Sequence, residues 1–128
     1  MKRWLLRFQR RQYAPLFQLG ELTVTVAARH VLTRAALPLG ELLERHQRGD
    51  WGQVDEVDRR QNELGVRLGL RIRSSYAVDA SGSPRSNQGV LAPTTTLLET
   101  VWLVTSPDRL RTTVFLPREI FDDNTPHP

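Results

Sequence analysis

The chain has 128 residues, of which 39% are hydrophobic and 25% charged, so its length and composition suit one globular domain. It contains no cysteine, which excludes a disulfide framework, a thiolate zinc site and a cysteine nucleophile. The absence of cysteine fits a reducing compartment, and we expect a cytoplasmic protein. No apolar run approaches the length of a transmembrane helix or a signal peptide.

The positive charge is concentrated at the start of the sequence. The whole chain has 18 basic and 14 acidic residues, whereas residues 1–20 have five basic residues and no acidic one. Subtraction leaves 13 basic and 14 acidic residues in 21–128, a net charge of −1 against +5 for residues 1–20. We therefore expect a basic N-terminal arm or helix over 1–20, an α+β domain over 21–120 and a flexible tail over 121–128. The five basic residues are Lys2, Arg3, Arg7, Arg10 and Arg11.

Residues 3–12 are amphipathic at helical spacing, with arginines on one side and Trp4, Leu5 and Phe8 on another. Pro15 ends this pattern. Three interpretations stay open for the segment. It is an arm that contacts nucleic acid, a helix on a membrane surface, or a helix that packs its apolar side on the body with the arginines in solvent.

Three helices are predicted between residues 25 and 66 from apolar periodicity and from the residues that start and stop helices. In the third helix we expect Val57 and Leu64 to share the inward face, with Arg59, Arg60 and Glu63 outside. The predicted helices cover 26–36 after an N-cap at Thr25, 38–46 before a stop at Gly49, and 55–66.

After Gly69 the apolar period changes to two, which indicates strands. A loop rich in serine, glycine and proline is predicted over 79–94, and Pro107 suits a hairpin turn. The fold class that follows is α+β, with three N-terminal helices followed by a three-stranded antiparallel β-meander in a single domain. The predicted strands cover 70–78, 96–105 and 110–116.

The two faces of this sheet are predicted to differ in chemistry. A four-residue turn pairs Thr105 with Leu110 and Leu103 with Thr112, which turns an apolar face toward the helices. We expect Ile72, Leu103, Val114 and Leu43 to be buried. The opposite face then carries arginines, a tryptophan and hydroxyl groups, namely Arg71, Arg73, Ser75, Trp102, Arg111 and Thr113 beside Phe115.

Several motifs resemble a family of small proteobacterial proteins that are mostly labelled plasmid-related. They are His46-Gln-Arg-Gly-Asp-Trp-Gly52, Asp58 with Gln61-Asn-Glu63, Gly69 to Tyr76, and the segment from Val101 to Pro117 with its Trp102, Thr105, Asp108-Arg109 and Thr112-Thr113. The similarity covers about residues 25–120 and implies a mobile-element context without implying an activity. The arginine-rich arm and the 79–98 insertion depart from the family pattern.

A second resemblance is to small metal-independent ribonucleases of the barnase, colicin and RelE type. In those enzymes a helical His or Glu, strand arginines and a late Thr or Ser gather on one sheet face. The candidates in this chain are His46, Arg71, Arg73, Ser75, Arg111 and Thr113. Of these we predict His46 as base, Arg71 for phosphate charge and Thr113 beside them as the catalytic residues. The alternative for His46 is a histidine at a helix C-terminus, where the helix dipole favours it.

Other chemistry has weaker support in the sequence. The carboxylates Asp50, Asp55, Glu56 and Asp58 lack the spacing of a calcium loop, and helix N-termini explain two of them, so we expect no metal and no cofactor. Trp51 is interpreted as an aromatic plug under the turn between helices.

Two functions are therefore predicted. The first is a nucleic-acid-facing accessory protein of mobile-element type, which contacts RNA or DNA. If it is catalytic, we expect a small metal-independent ribonuclease. Its binding residues are Lys2, Arg3, Arg7, Arg10, Arg11, Arg73, Ser75, Trp102 and Arg111. The alternative is a protein-binding accessory factor without catalysis, such as an inhibitor of a host defence enzyme or a subunit of a larger complex, whose partner contacts residues 1–20 and 79–98. Whether the protein is an enzyme stays open at this point.

Overall fold

The structure is a computed structural model, and it describes residues 14–82 and 96–121. The predictions for the five basic residues of the arm, for most of the 79–94 loop and for the tail lie outside these residues. The helices and strands, in chain order, are β1 Glu21–Val24, α1 Val26–Ala35, α2 Leu39–Gln47, α3 Glu56–Leu68, β2 Ile72–Asp79, β3 Leu98–Thr105, β4 Arg111–Phe115 and α4 Arg118–Phe121.

The predicted mixture of helices and strands is confirmed, but the sheet has four strands rather than three. Its order is β1-β4-β3-β2, with β2, β3 and β4 antiparallel and β1 parallel to β4. The predicted three-stranded meander is therefore only part of a mixed four-stranded sheet, and β1 and the short α4 were not predicted. None of the described helices is long and apolar enough to cross a bilayer.

Strand β1 is fixed by a close backbone approach at Gly20. This glycine has φ +69°, and an added Cβ would lie 2.2 Å from the carbonyl carbon of Leu110. The N–H of Glu21 then donates to Leu110 O at 2.9 Å, which starts the parallel ladder with β4. Only glycine accommodates both the left-handed backbone and the contact.

Side-chain and backbone caps define the helix ends. Thr25 Oγ1 accepts from the N–H of Ala28 at 3.1 Å, and Asp55 Oδ1 accepts from that of Asp58 at 2.8 Å. At the other end of α3, Arg109 donates to the carbonyl oxygens of Gly65 and Leu70, both at 2.8 Å. One arginine from the β3–β4 turn therefore joins the C-terminal end of α3 to the sheet, although Gly65 O also accepts from the N–H of Gly69 at 2.9 Å.

The observed strand register differs from the predicted one by two residues. Thr105 lies opposite Thr112 and Leu103 lies opposite Val114, because the β3–β4 connection is longer than a four-residue turn. A shift of two preserves the faces of the sheet, whereas a shift of one would have exchanged them. Ile72, Leu103 and Val114 are accordingly buried as predicted, while Leu43 is only half-buried against the core.

The main core lies between the sheet and the helices α1 and α2. A second, smaller cluster joins Phe17, Trp51 and Ile72, with Phe17 and Trp51 stacked at a centroid distance of 6.4 Å. Phe17, which the sequence places in the arm, is therefore part of the packed body. Trp51 fills the space beneath the α2–α3 connection, in agreement with its predicted role as a plug.

The edge of β2 is closed by two backbone-like contacts. The side-chain amide of Asn62 donates to Arg73 O at 2.8 Å and accepts from Arg73 N at 3.0 Å. Two residues further along, Ser75 N donates to Trp51 O at 3.0 Å and Ser75 O accepts from Gln53 N at 2.6 Å. The edge thus offers fewer free backbone groups for pairing with another chain.

Helix α3 packs beside this edge with an orientation opposite to the predicted one. Its buried residues are Asn62 and Gly65, whereas Val57 and Leu64, predicted to face inward, are 73% and 41% exposed. Gly65 allows close approach, since an added Cβ would lie 3.2 Å from the carbonyl oxygens of Leu70 and Arg71. The prediction for Val57 and Leu64 was therefore wrong, because α3 docks through polar and small residues.

We expect Leu103→Ala to lower the free energy of unfolding by about 2–5 kcal/mol, since Leu103 is fully buried in the main core. Urea unfolding measures this loss. Leu110→Ala is the matched control, because Leu110 is 69% exposed and its change should stay within about 0.5 kcal/mol. Similar losses in the two variants would contradict the assignment of the sheet faces.

Candidate functional site

His46 lies in the last turn of α2 and is completely buried. Its Nδ1 is 2.6 Å from Ser74 Oγ on β2, and its Nε2 is 2.9 Å from Thr105 Oγ1 on β3. Phe17 and Trp51 meet the ring edge-on, at centroid distances of 5.1 and 6.2 Å. Both ring nitrogens therefore have protein partners, and aromatic side chains cover the imidazole.

The hydroxyl groups next to His46 determine which nitrogen carries its proton. Thr112 Oγ1 donates to the carbonyl oxygen of Leu19 at 2.8 Å, so the 2.7 Å bond between the two threonines must be donated by Thr105. Thr105 has then used its proton, and His46 Nε2–H must donate to it. Nδ1 accepts from Ser74. With a neutral imidazole, each hydrogen bond in the chain from Ser74 to Leu19 thus has one donor and one acceptor.

Burial keeps this imidazole neutral well below physiological pH. Desolvation, and then the nearby positive charge of Arg109, lower the pKa of His46 to about 3. A general base must lie within hydrogen-bond reach of the proton that it removes from a substrate. His46 is 0% exposed, and both of its ring nitrogens are hydrogen-bonded to protein groups. The arrangement is suited to joining α2 to the sheet rather than to catalysis.

The structure does not bring His46 together with the other residues predicted for catalysis. His46 contacts Ser74 and Thr105, which point to the helical side of the sheet. Thr113 alternates with the buried Thr112 and therefore points to the opposite side, as does Arg71 next to Ile72. The sheet separates the base from the phosphate-binding groups, so the geometry gives the ribonuclease hypothesis no support.

On the outer face of the sheet, which is the face away from α1 and α2, Arg73 and Trp102 are brought together. The guanidinium carbon of Arg73 is 4.3 Å from the indole ring centroid, a cation–π contact. Arg73 Nη2 also donates to Asp58 Oδ2 of α3 at 2.6 Å. Its Nε is buried and has no hydrogen-bond partner within 14–82 and 96–121. The guanidinium is thus held in place by α3 and by the indole together.

Phe115 extends this contact across a third strand. It lies directly opposite Trp102 in the β3–β4 register, and the two rings meet edge-to-face at 5.8 Å. Arg73, Trp102 and Phe115 are each partly exposed. We call these three side chains the aromatic strip, which runs over β2, β3 and β4.

Two exposed arginines lie at one end of the strip. Arg71 immediately precedes β2 and Arg111 begins β4, and the register places each beside Ser106. Two strand spacings separate them, about 10 Å between their Cα atoms. Neither side chain forms a salt bridge with any residue that the structure describes. This end of the face therefore presents two cations to solvent.

The remaining predicted binding residues have different positions. Ser75 lies opposite Trp102 on the same face but is nearly buried, at 9% exposure. Thr113 is half-buried in the row of Arg73 and Val104. Lys2, Arg3, Arg7, Arg10 and Arg11 lie outside the described residues. Among 14–82 and 96–121, no group of three or more metal-ligating side chains lies close enough to hold an ion.

The sequence interpretation missed Asp58, which positions Arg73, and Asn62, which holds the edge of β2. Asn62 was itself a signal. An amide side chain is buried only where it pairs with other polar groups, such as backbone groups that need partners. For His46 the signal was the row of inward-pointing hydroxyl residues Ser74, Thr105 and Thr112. Such a row needs a buried hydrogen-bonding partner.

Comparison with protein-family models, with curated proteins and with solved structures gave no match to this chain. The resemblance to plasmid-related proteins therefore stays a prediction.

The residues that carry that resemblance have structural roles in this chain. Arg45 pairs with Asp50 at 2.8 Å, and Gly52 has φ +75° where an added Cβ would lie 2.2 Å from Ser75 O. Asn62 and Arg109 fix α3, as described above. These motif residues thus specify the scaffold, whereas Arg71, Arg73 and Trp102 of the same motifs lie on the outer face of the sheet.

We expect the protein to lose stability as the pH falls from 6.5 toward 4.5. The pKa of His46 is about 3 in the folded chain and about 6.5 when unfolded, so only the unfolded chain gains a proton in this range. The contribution of His46 is fully present above pH 6.5. It decreases by about 1.4 kcal/mol per pH unit below it.

Urea unfolding at pH 6.5 and 4.5 measures this loss. His46→Gln retains a donor and an acceptor but cannot titrate, so it should lower stability at pH 6.5 and remove most of the further loss. His30→Gln is the control, because it makes the same substitution at an exposed position on α1. An equal loss in the His46→Gln and wild-type proteins would show that other groups cause it.

Proposed function

We propose that this protein binds single-stranded RNA or DNA on the outer face of its sheet. The observation that carries the proposal is the aromatic strip, in which Trp102 lies between the guanidinium of Arg73 and the ring of Phe115. Nucleotide bases stack on aromatic rings and on guanidinium planes alike. A partly exposed strip across three strands is therefore a suitable platform for unpaired bases.

Single strands fit this surface better than duplexes do. In a duplex the faces of the bases are already stacked on their neighbours, whereas an unpaired base exposes a π-face to a protein ring. Each base stacked on an aromatic side chain contributes about 1–3 kcal/mol with little dependence on sequence. We accordingly propose a module with broad rather than base-specific recognition.

The arginines of this face have two roles, stacking on bases and binding phosphate groups. Arg73 is neutralised by Asp58 and lies over Trp102, so it supplies a stacking plane. Arg71 and Arg111 have no such partner among the described residues and are free to approach phosphate oxygens. The register places them four residues along the strands from the row of Trp102, about 13 Å.

The N-terminal segment adds a sequence-level argument. Residues 1–20 carry a net charge of +5, whereas 21–128 carry −1. A basic segment attached to a nearly neutral body increases affinity for phosphate backbones without specifying sequence. The proposal includes no catalytic step, because the candidate base His46 is enclosed in the core. We thus propose an accessory protein, and the resemblance to plasmid-related proteins adds a mobile-element context.

Fluorescence anisotropy with labelled single-stranded oligonucleotides tests the proposal. We expect Trp102→Ala to weaken binding by at least about fivefold, the lower end of the stacking range. Arg71→Ala and Arg111→Ala should each reduce the slope of log K against log salt by about 0.7, the value for one contact to a single strand. Deletion of residues 1–12 should lower both the affinity and the slope.

Arg34→Ala provides the control for charge, because Arg34 is exposed in the last turn of α1, which packs on the other face of the sheet. Its affinity should change by less than about twofold. Circular dichroism at neutral pH checks that every variant is folded. The proposal is refuted if no oligonucleotide binds at low salt, or if binding is unchanged by Trp102→Ala.

A further inference from the structure

Helix α3 carries a row of exposed apolar side chains that the sheet face does not explain. Val57, Leu64 and Leu68 are 73%, 41% and 64% exposed. With the exposed Gln61 they follow one another at intervals of four, three and four residues. At 100° per residue these four positions fall within an arc of about 60°. We call this row the α3 stripe.

The spacing of the α3 stripe is that of the seam by which one helix packs against another. Intervals of four and three correspond to alternating d and a positions of a heptad, with Gln61 as one polar a position. Single exposed leucines are ordinary on protein surfaces. Three at seam positions, on a helix whose neighbouring side is buried through Asn62 and Gly65, are a shaped surface.

The charges beside the stripe identify the occupant. Arg60 and Arg67 lie at the flanking g positions, and both are exposed. Arg67 has no salt bridge within the described part of the chain, whereas Arg60 is paired with Glu56 at 3.3 Å. The other flank is occupied by the protein itself, since Asp58 is bound to Arg73.

A second copy of this chain fits the stripe poorly. In an antiparallel pair of α3 helices, the g positions of one helix face those of the other, so Arg60 and Arg67 would oppose identical arginines. A parallel pair would place them against Asp58, which is engaged with Arg73, and Gly65, which is buried. Like charges at these positions disfavour association.

We propose that the α3 stripe docks an amphipathic helix of another protein whose apolar seam is flanked by acidic residues. The stripe spans 12 residues, from 57 to 68, about 16 Å of helix. Such a contact is short for a permanent complex and corresponds to a transient one, with a Kd on the order of micromolar. The α3 stripe shares no residue with the aromatic strip, so different variants test the two surfaces.

The probe is a labelled synthetic amphipathic peptide with leucine at a and d and glutamate at e and g. Two matched peptides carry lysine at e and g, or the same composition in scrambled order. We expect the glutamate peptide to bind the full chain with a Kd on the order of micromolar. Leu64→Gln and Leu68→Gln should each weaken it by at least about tenfold.

Charge reversal tests the identity of the partner. Arg67→Glu should weaken the glutamate peptide and strengthen the lysine peptide. Leu110→Gln and Arg29→Glu make equivalent changes at exposed positions away from α3, and both should stay within about twofold of the unmodified chain. Because all these positions are exposed, the variants should fold, and circular dichroism verifies this.

Three results would overturn the proposal. The scrambled peptide could bind as well as the amphipathic one, which would show that net charge alone causes the binding. Leu64→Gln could leave binding unchanged, which would place the contact elsewhere. Sedimentation velocity could show a dimer that Leu64→Gln dissociates, which would make a second copy the occupant. Loss of oligonucleotide binding in Trp102→Ala concerns the sheet face and leaves the α3 stripe unaffected.

Discussion

The buried hydrogen-bond chain from Ser74 through His46, Thr105 and Thr112 to Leu19 is the constraint on which the rest of the structure depends. It joins α2, three strands and the segment before β1, and its four side chains have no access to solvent. Burying such groups is costly unless every one has a partner. The chain is complete only with a neutral imidazole in one tautomer. Sheet register and the position of α2 are therefore specified together, because a displaced strand would leave a buried hydroxyl or ring nitrogen unpaired.

The two sides of the sheet differ, because the inner side forms the core and the outer side forms a partly exposed surface. The inner side carries the polar chain and the apolar core under α1 and α2. The outer side carries Arg73, Trp102 and Phe115, which are ordered by contacts with one another and with Asp58. A side chain held in this way loses less conformational freedom on binding than one that is free in solvent. The packing that closes the domain thus also orders its outer surface.

Much of the fold could be predicted from local sequence patterns. Thr25, Asp55 and Gly69 mark helix ends by their own chemistry, and the alternation in β2 and β3 assigns their faces. Strand β1 could not be predicted in this way, because it has four residues and its partner β4 is about 90 residues away. The predicted register of β3 and β4 was wrong by two residues, because the length of the turn between them depends on tertiary contacts such as those of Arg109. His46 was recognised as a chemically competent residue, but its burial depends on Ser74 and Thr105, which are distant in sequence, and on the rings of Phe17 and Trp51.

The way in which α3 is attached has a consequence for local stability. Its contacts with the body include the Asn62 amide, the Asp58–Arg73 ion pair and the Arg109 cap, while both of its leucines face solvent. Polar contacts at an edge are exchanged for water at small net cost. Helix α3 is therefore expected to open as a cooperative unit at a lower free energy than the sheet, and its amide hydrogens to exchange with deuterium before those of β3. Such opening would expose the edge of β2 to strand pairing, so a helix bound on the outside of α3 would also protect the domain from aggregation.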